Sequence, residues 1–248
     1  MPAYTVAAAY RFADLPDAAP LRQHLLATAQ AAALKGTLLI APEGINFTLA
    51  GETAALEGWL TGLQRDTRFA GLEIKRHSTA TLPFARLKVK LKREIIRMNR
   101  PVLRPQDGRA PAVDAATLAR WLANGRRDDS GREVVLLDTR NGFEVDAGAF
   151  EGAIDWRLVK FSDFPAALQA HRAELEGKTV VSYCTGGIRC EKAALWMQAE
   201  GLHHVLQLDG GILRYFELTP GAPHWRGGCF VFDERTSLGA DLQALEAA

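Results

Sequence analysis

The chain has 248 residues, 48% of them hydrophobic and 24% charged, with 30 lysines and arginines against 29 aspartates and glutamates for a formal net charge of +1. That length can bury one large core or two ordinary ones, and two is the favoured division. The near-zero net charge excludes a globally polycationic nucleic-acid binder and leaves room only for a local basic surface. No apolar run approaches the roughly 20 residues that span a bilayer, so no membrane partner is expected. Three cysteines without regular spacing form no disulfide framework and point to a reducing, cytoplasmic setting in which thiols stay free.

The opening "MPAYTVAAAYRFADLPD" has no basic leader, and Arg11 and Asp14 break its apolar run, so it predicts a strand near 4–12 rather than an export signal. "LRQHLLATAQAAALKG" has helical periodicity and is expected to stop at Gly36 in a left-handed cap. "TLLIAPEGINFTLAG" reads as two strands hinged between Pro42 and Gly44, or one bent one. "ETAALEGWLTGLQ" is a second helix and "GLEIKRH" a further strand. Strand, helix, strands, helix, strand is the split β-α-β order of a ferredoxin-like α+β domain, assigned to residues 1–98.

Residues 86–104 hold eight basic side chains (Arg86, Lys88, Lys90, Lys92, Arg93, Arg97, Arg100, Arg104) and one acid, Glu94. Leu87, Val89 and Leu91 alternate with the first cations, so a strand here carries aliphatics on one face and cations on the other. One reading is an edge strand that uses lysines to repel other strands. The basic run continues past the strand, which favours a polyanion surface that gains by counterion release, with Arg86, Lys88, Lys90, Lys92, Arg93 and Arg97 as the RNA-binding candidates.

"NRPVLRPQDGRAPAV" packs three prolines and a glycine into fifteen residues and reads as a linker over 99–113. Beyond it, "DAATLARWLANG" is a short helix, and "EVVLLD", "GAIDW", "TVVSY" and "HVLQL" are compact apolar strands. Helical stretches separate the later ones, which gives a doubly wound, mostly parallel α/β domain over 114–225 and a tail over 226–248. Ligands of such sheets sit beyond the carboxyl ends of the strands. The expected rim therefore takes Asp138, Arg140, Asn141 and Glu144 from "LLDTRNGFE", the loop "SYCTGGIRC", and Asp209, Gly210 and Gly211 from "LQLDGGILRY". Asp138 reads equally as a helix cap or loop brace, and Arg140 as an anion cradle or a surface ion pair.

In "VVSYCTGGIRCEKAALW" a strand delivers Cys184 to a tight loop, with a helix expected to start near Glu191. Gly186 and Gly187 allow backbone conformations that turn the amides of Thr185, Gly186, Gly187 and Ile188 toward one point. The following helix adds its unpaired N–H groups and positive dipole end. A thiol there is expected to ionise and act as a nucleophile at neutral pH, with Arg189 as a nearby fixed cation. Cys190 is either a resolving partner that captures oxidised Cys184 as a disulfide or simply a small helix-start residue. None of Cys184, Cys190, Cys229 and His224 gives the spacing of a closed zinc site, so no metal is expected. Cys229 is a core candidate; His203 and His204 take ordinary surface or core roles.

"CTGGIRC", "LLDTRNGFE", "FEGAIDW" and "QLDGGILRY" together resemble the rhodanese domain, in which a cysteine opens the active loop and carries sulfur as a persulfide. The loop from Cys184 to Arg189 has the six-residue sulfurtransferase size. Dual-specificity phosphatases place arginine after five further residues, where this chain has Cys190, so a phosphatase cradle is one residue short. "GTLLIAPEGINFTLAG", "KVKLKREI", "CTGGIRCEKA" and "GGCFVFDER" extend the likeness over nearly the whole chain to the bacterial tRNA uridine(34) hydroxylases. That resemblance implies oxygen-dependent conversion of the wobble uridine to 5-hydroxyuridine, with Cys184 as a persulfide-type centre, tRNA through its anticodon loop as partner, and molecular oxygen as cosubstrate. It leaves the electron donor and any protein partner open. Thr185 stands where thiosulfate sulfurtransferases usually carry arginine, and the cysteine-rich tail of longer hydroxylase relatives has no counterpart before Ala248.

No flavin fingerprint, haem motif or two-histidine-one-carboxylate iron site is visible, so no cofactor is recognisable and Cys184 is expected to take part directly. Three functions are in play: the tRNA hydroxylase, a persulfide-forming sulfurtransferase that uses the same cysteine, and a binding module that keeps only the fold. Intact Cys184 and Arg189 speak against the third.

Overall fold

The computed structural model describes residues 4–100 and 102–245. The chain divides into two compact units, with the boundary between Arg97 and Met98.

Unit one runs β1 (Tyr4–Phe12), α1 (Ala18–Ala31), β2 (Lys35–Ala41), β3 (Gly44–Glu52), α2 (Thr53–Gln64), β4 (Lys75–Thr79) and β5 (Leu87–Leu91). The sheet order is β4-β1-β3-β2-β5, antiparallel throughout its first four strands, with β5 added in parallel to β2. This is the ferredoxin-like α+β plan extended by one edge strand. Residues of alternate register such as Ala7, Leu38, Ile40 and Leu49 bury beneath the two helices, where Phe47 meets Trp59 edge to face at 5.8 Å. A fully buried leucine or phenylalanine contributes about 1.5–3 kcal/mol here.

The first helix ends sooner than its periodicity predicts. Ala33, not Gly36, takes the left-handed position (φ 53°), and the N–H groups of Ala33 and Leu34 close back onto Gln30 O and Ala29 O, a Schellman arrangement. Gly36 lies inside β2 at φ 118°, where an added Cβ would come within 2.2 Å of Thr48 O, so its glycine serves strand pairing rather than the cap.

Unit two runs β6 (Ala112–Val113), α3 (Ala115–Ala123), β7 (Val134–Asp138), α4 (Gly142–Ala147), β8 (Gly148–Phe150), β9 (Ile154–Asp155), α5 (Phe164–His171), β10 (Thr179–Tyr183), α6 (Ile188–Ala199), β11 (Val205–Leu208), α7 (Gly211–Leu218), β12 (Trp225–Gly227), β13 (Cys229–Phe230) and β14 (Ser237–Leu238). Its main sheet, β6-β11-β10-β7-β9, is wholly parallel. β7 and β10 are buried along their full length, as central strands covered on both faces must be. Asp114 caps α3 by accepting the N–H of Thr117 at 2.9 Å.

Two expected boundaries are corrected by this packing. The segment expected as a linker is built into unit two, because β6 pairs with β11 and Gln207 Nε2 donates to Ala110 O at 3.1 Å. The expected tail also belongs to the core: β12 pairs with β8, β13 with β14, and Cys229, Val231 and Leu238 bury beside Phe150, Tyr183 and Tyr215. Among the described residues no helix is long and apolar enough to cross a membrane.

Candidate active site

At the carboxyl end of β10 the chain leaves the sheet at Cys184 and re-enters helix at Ile188, three residues earlier than Glu191. Gly187 makes that turn possible, with φ 107° at the helix N-cap. Gly186 has no such need, since a Cβ there meets nothing within 4 Å and its φ is not left-handed, which corrects the equal weight given to both glycines.

The loop takes its shape from the neighbouring strand exit. Ile212 N–H donates to Cys184 O at 3.0 Å and Leu213 N–H to Thr185 O at 3.1 Å, so the first turn of α7 holds the loop carbonyls. Gly211 permits this approach: its φ is 67°, and a Cβ would lie 2.4 Å from Cys184 O. Ser182 Oγ ties α6 back to β10 through Cys190 O at 3.1 Å.

With its carbonyls turned away, the loop presents donors to sulfur. Gly187 N–H lies 3.2 Å from Cys184 Sγ, and the Cys190 sulfur lies 3.8 Å from it, with Gly187 O, the competing acceptor for its single proton, at 3.1 Å. Cys184 is fully buried, and burial alone pushes its thiol up; the Cys190 thiol, the Arg189 charge and the N–H groups of Cys190 and Gly187 outweigh burial and bring it down to about 5. Burial and the adjacent Cys184 sulfur push the Cys190 thiol well up, so one sulfur ionises and the other keeps its proton to donate. The two sulfurs are not bonded, and closing them to a disulfide requires an approach to about 2 Å. Thr185 and Gly186 are the half-buried part of the loop and mark its open side.

Arg189 differs from expectation in one respect. Its guanidinium is held by both oxygens of Glu144, at 2.5 and 2.8 Å, with Thr185 Oγ1 3.4 Å away. It is therefore a compensated cation that fixes the loop, not an open one awaiting an anion. Glu144, expected among the rim residues, is instead fully buried, and its role as the partner of Arg189 is the one the sequence did not show. Its Oε1 also accepts the N–H of Asn141 at 3.0 Å, half of a capping box that "NGFE" spells out.

Asp138 and Arg140 are not rim residues. Both are buried and bonded to each other, with Arg140 Nη2 2.6 Å from Asp138 Oδ2. Arg140 also donates to Glu144 O and Gly148 O, and its guanidinium lies over the Tyr183 and Trp225 rings. A guanidinium so fully satisfied braces β7, α4 and β8 from inside. Asp209 does stand at the rim, paired with Arg109 Nη2 at 2.6 Å; Arg109 also lies 3.6 Å from Glu191. Burial pushes the Cys229 thiol up to about 12, which leaves it a core residue. Among the described residues no group of three or more His, Cys, Asp or Glu side chains is placed to hold a metal ion.

In unit one, Arg86, Lys88, Lys90, Lys92, Arg93 and Arg97 are all exposed. β5 is the sheet edge, with Val89 turned into the core and Lys88 and Lys90 outward; Leu91, expected on the apolar face, is 49% exposed because the strand ends there.

A ferredoxin-like unit followed by a parallel sheet whose central strand ends in a cysteine-opened, arginine-closed loop defines a two-domain protein of rhodanese type. The family model described as "UPF0176 acylphosphatase like domain" matches residues 4–95, and that of the "Rhodanese-like domain" matches 116–217. A tRNA uridine(34) hydroxylase of Bordetella avium (strain 197N) is 61% identical over 95% of this chain and 97% of its own length. One of Delftia acidovorans (strain DSM 14801 / SPH-1) is 63% identical over 94% and 88%, and one of Thiobacillus denitrificans (strain ATCC 25259 / T1) 57% identical over 95% and 94%. The chain belongs to the tRNA uridine(34) hydroxylase family.

Proposed function

We propose that this protein hydroxylates carbon 5 of uridine 34 in the anticodon loop of tRNA, with the sulfur of Cys184 as the reacting centre, acting as an oxidoreductase in the cytoplasm. The observation that carries the reading is the hold on Cys184: a buried sulfur that accepts Gly187 N–H at 3.2 Å, with the Cys190 sulfur at 3.8 Å and the compensated Arg189 beside it, surroundings that lower its pKa. Full-length similarity to proteins named for this reaction supports it over sulfur transfer to a small acceptor.

Carbon 5 of uracil is unreactive until a nucleophile adds at carbon 6, which places an enolate across carbons 5 and 4. The Cys184 centre supplies that nucleophile. A persulfide there extends the sulfur by about 2 Å, giving reach to a site whose Sγ is closed off. The enolate takes up one oxygen atom at carbon 5; loss of the carbon 5 proton and expulsion of sulfur then restore the ring. With molecular oxygen as cosubstrate, the second oxygen atom leaves as water at the expense of two electrons and two protons from a donor outside the chain. The same loop donors that stabilise a thiolate stabilise the expelled sulfur anion. The base must leave the anticodon stack and enter past Thr185 and Gly186.

The exposed cations of β5 and the residues after it, Arg86 to Arg97, serve as the phosphate contact. Mass spectrometry of tRNA nucleosides from cells lacking the protein tests the reading, with the expectation that 5-hydroxyuridine and its derivatives disappear. Complementation with Cys184→Ser should fail to restore them, and full restoration removes Cys184 from the reaction. Sulfur transfer from thiosulfate by a protein inactive on tRNA would instead promote the sulfurtransferase.

A further inference from the structure

Two phenylalanines are exposed among the described residues, Phe143 at 49% and Phe232 at 66%, and they touch. With Phe230 they form a closed triad: centroid distances are 5.2 Å for Phe143 and Phe230, 6.3 Å for Phe143 and Phe232, and 5.2 Å for Phe230 and Phe232, all near right angles. Rings that meet edge to face fix one another without stacking, so the exposed pair keeps flat surface for a further partner. The turn that carries Phe232 is itself fixed, since Asp233 accepts Arg235 N at 3.0 Å and its guanidinium at 2.6–2.8 Å, and Val231 N–H donates to Thr236 O at 2.9 Å.

The triad is joined to the active loop through Phe143, which precedes Glu144, the partner of Arg189, while Phe230 follows the buried Cys229. Exposed aromatic area costs a soluble protein free energy unless something covers it. Beside a loop that must receive a base pulled from its stack, the matching cover is a second flat, unpaired base.

We propose that Phe143, Phe230 and Phe232 form a stacking platform for an unpaired nucleobase of the tRNA next to the uridine that enters the Cys184 loop. This rests on the hydroxylase reading above. The platform replaces part of the anticodon stacking that is lost when the target base leaves.

The test uses the full chain, an anticodon stem–loop RNA and three double variants at Phe143 and Phe232: both to Ala, both to Leu and both to Trp. Alanine and leucine should each lower RNA affinity about tenfold or more, because leucine keeps apolar volume but offers no π-face, while tryptophan retains it. Ionisation of Cys184 should be the same in all, which also shows that each variant is folded. Wild-type affinity in the leucine variant would overturn stacking even if the alanine variant failed to fold. A change in self-association with RNA affinity unchanged would assign the patch to protein contact and equally overturn it. Wild-type protein that neither binds nor hydroxylates the RNA would bring down the hydroxylase reading and the platform with it, whereas active wild type with unaffected variants sinks the platform alone.

Discussion

The edge strand β5 and the Cys184 loop both concentrate charge, and they use it in opposite ways. On and around β5 six cations are exposed, and two of them, Lys88 and Lys90, are placed by the two-residue period of a strand that turns Val89 into the core. Around the loop, Arg140, Arg189, Asp138 and Glu144 are turned inward and matched one to one. Exposed charge acts over a Debye length and weakens with salt; buried charge acts only on what it touches, but each partner is costly to remove. The first region is suited to holding a long polyanion, the second to fixing one sulfur.

The largest expected break in that contrast is Glu144→Gln. It leaves the Arg189 guanidinium buried without its counter-charge and should cost about 3–5 kcal/mol of folding stability, read from a denaturant midpoint. A loss below 1 kcal/mol would show the pair to be dispensable. Gly211→Ala comes next, because it forces a Cβ against Cys184 O and a side chain into positive φ; about 1–3 kcal/mol of strain is expected, together with weaker ionisation of Cys184. An unaltered thiol titration in that variant would mean that α7 does not shape the loop.

Cys190→Ala sharpens the loop side more finely. It removes the thiol donor to Cys184, and loss of a hydrogen bond to a charged group, about 1.5–3 kcal/mol, should raise the Cys184 pKa by about 1–2 units. The sign follows from the donor favouring the anion; a fall would reverse the assigned direction of the bond. Cys190→Ser keeps a donor and should keep most of the shift, yet it cannot form the disulfide, so loss of turnover in the serine variant alone would establish the resolving role.

The smallest effect on stability belongs to β5. Lys88→Gln with Lys90→Gln should change folding by less than about 0.5 kcal/mol while reducing the salt slope of tRNA binding by about two. An unchanged slope would leave these lysines as guards of a sheet edge.

Much of this was legible in the sequence. Alternating and continuous apolar runs placed the strands of both sheets, and "CTGGIRC" after a buried strand announced the loop because strand, glycine turn and helix start are all local signals. Long-range pairing was not legible. Nothing near Arg189 identifies Glu144, 45 positions earlier, as its partner, and nothing in "LLDTR" says that Asp138 and Arg140 satisfy each other inside the core. The tail was misjudged for the same reason: "GGCFVFDER" shows its apolar residues, but only the packing of β12 and β13 shows that Cys229 is buried and Phe232 is not. The cap at Ala33 was missed because a residue without glycine's freedom took the left-handed position, with the helix end set by Leu34 entering the core.

The most direct test of the central claim is titration of Cys184 itself, by thiolate absorbance of the wild type minus that of Cys184→Ser. Ionisation should rise through a midpoint near 5 and be complete at neutrality, with Cys190 still protonated. A midpoint at or above the ordinary thiol value of about 8.5 would contradict it.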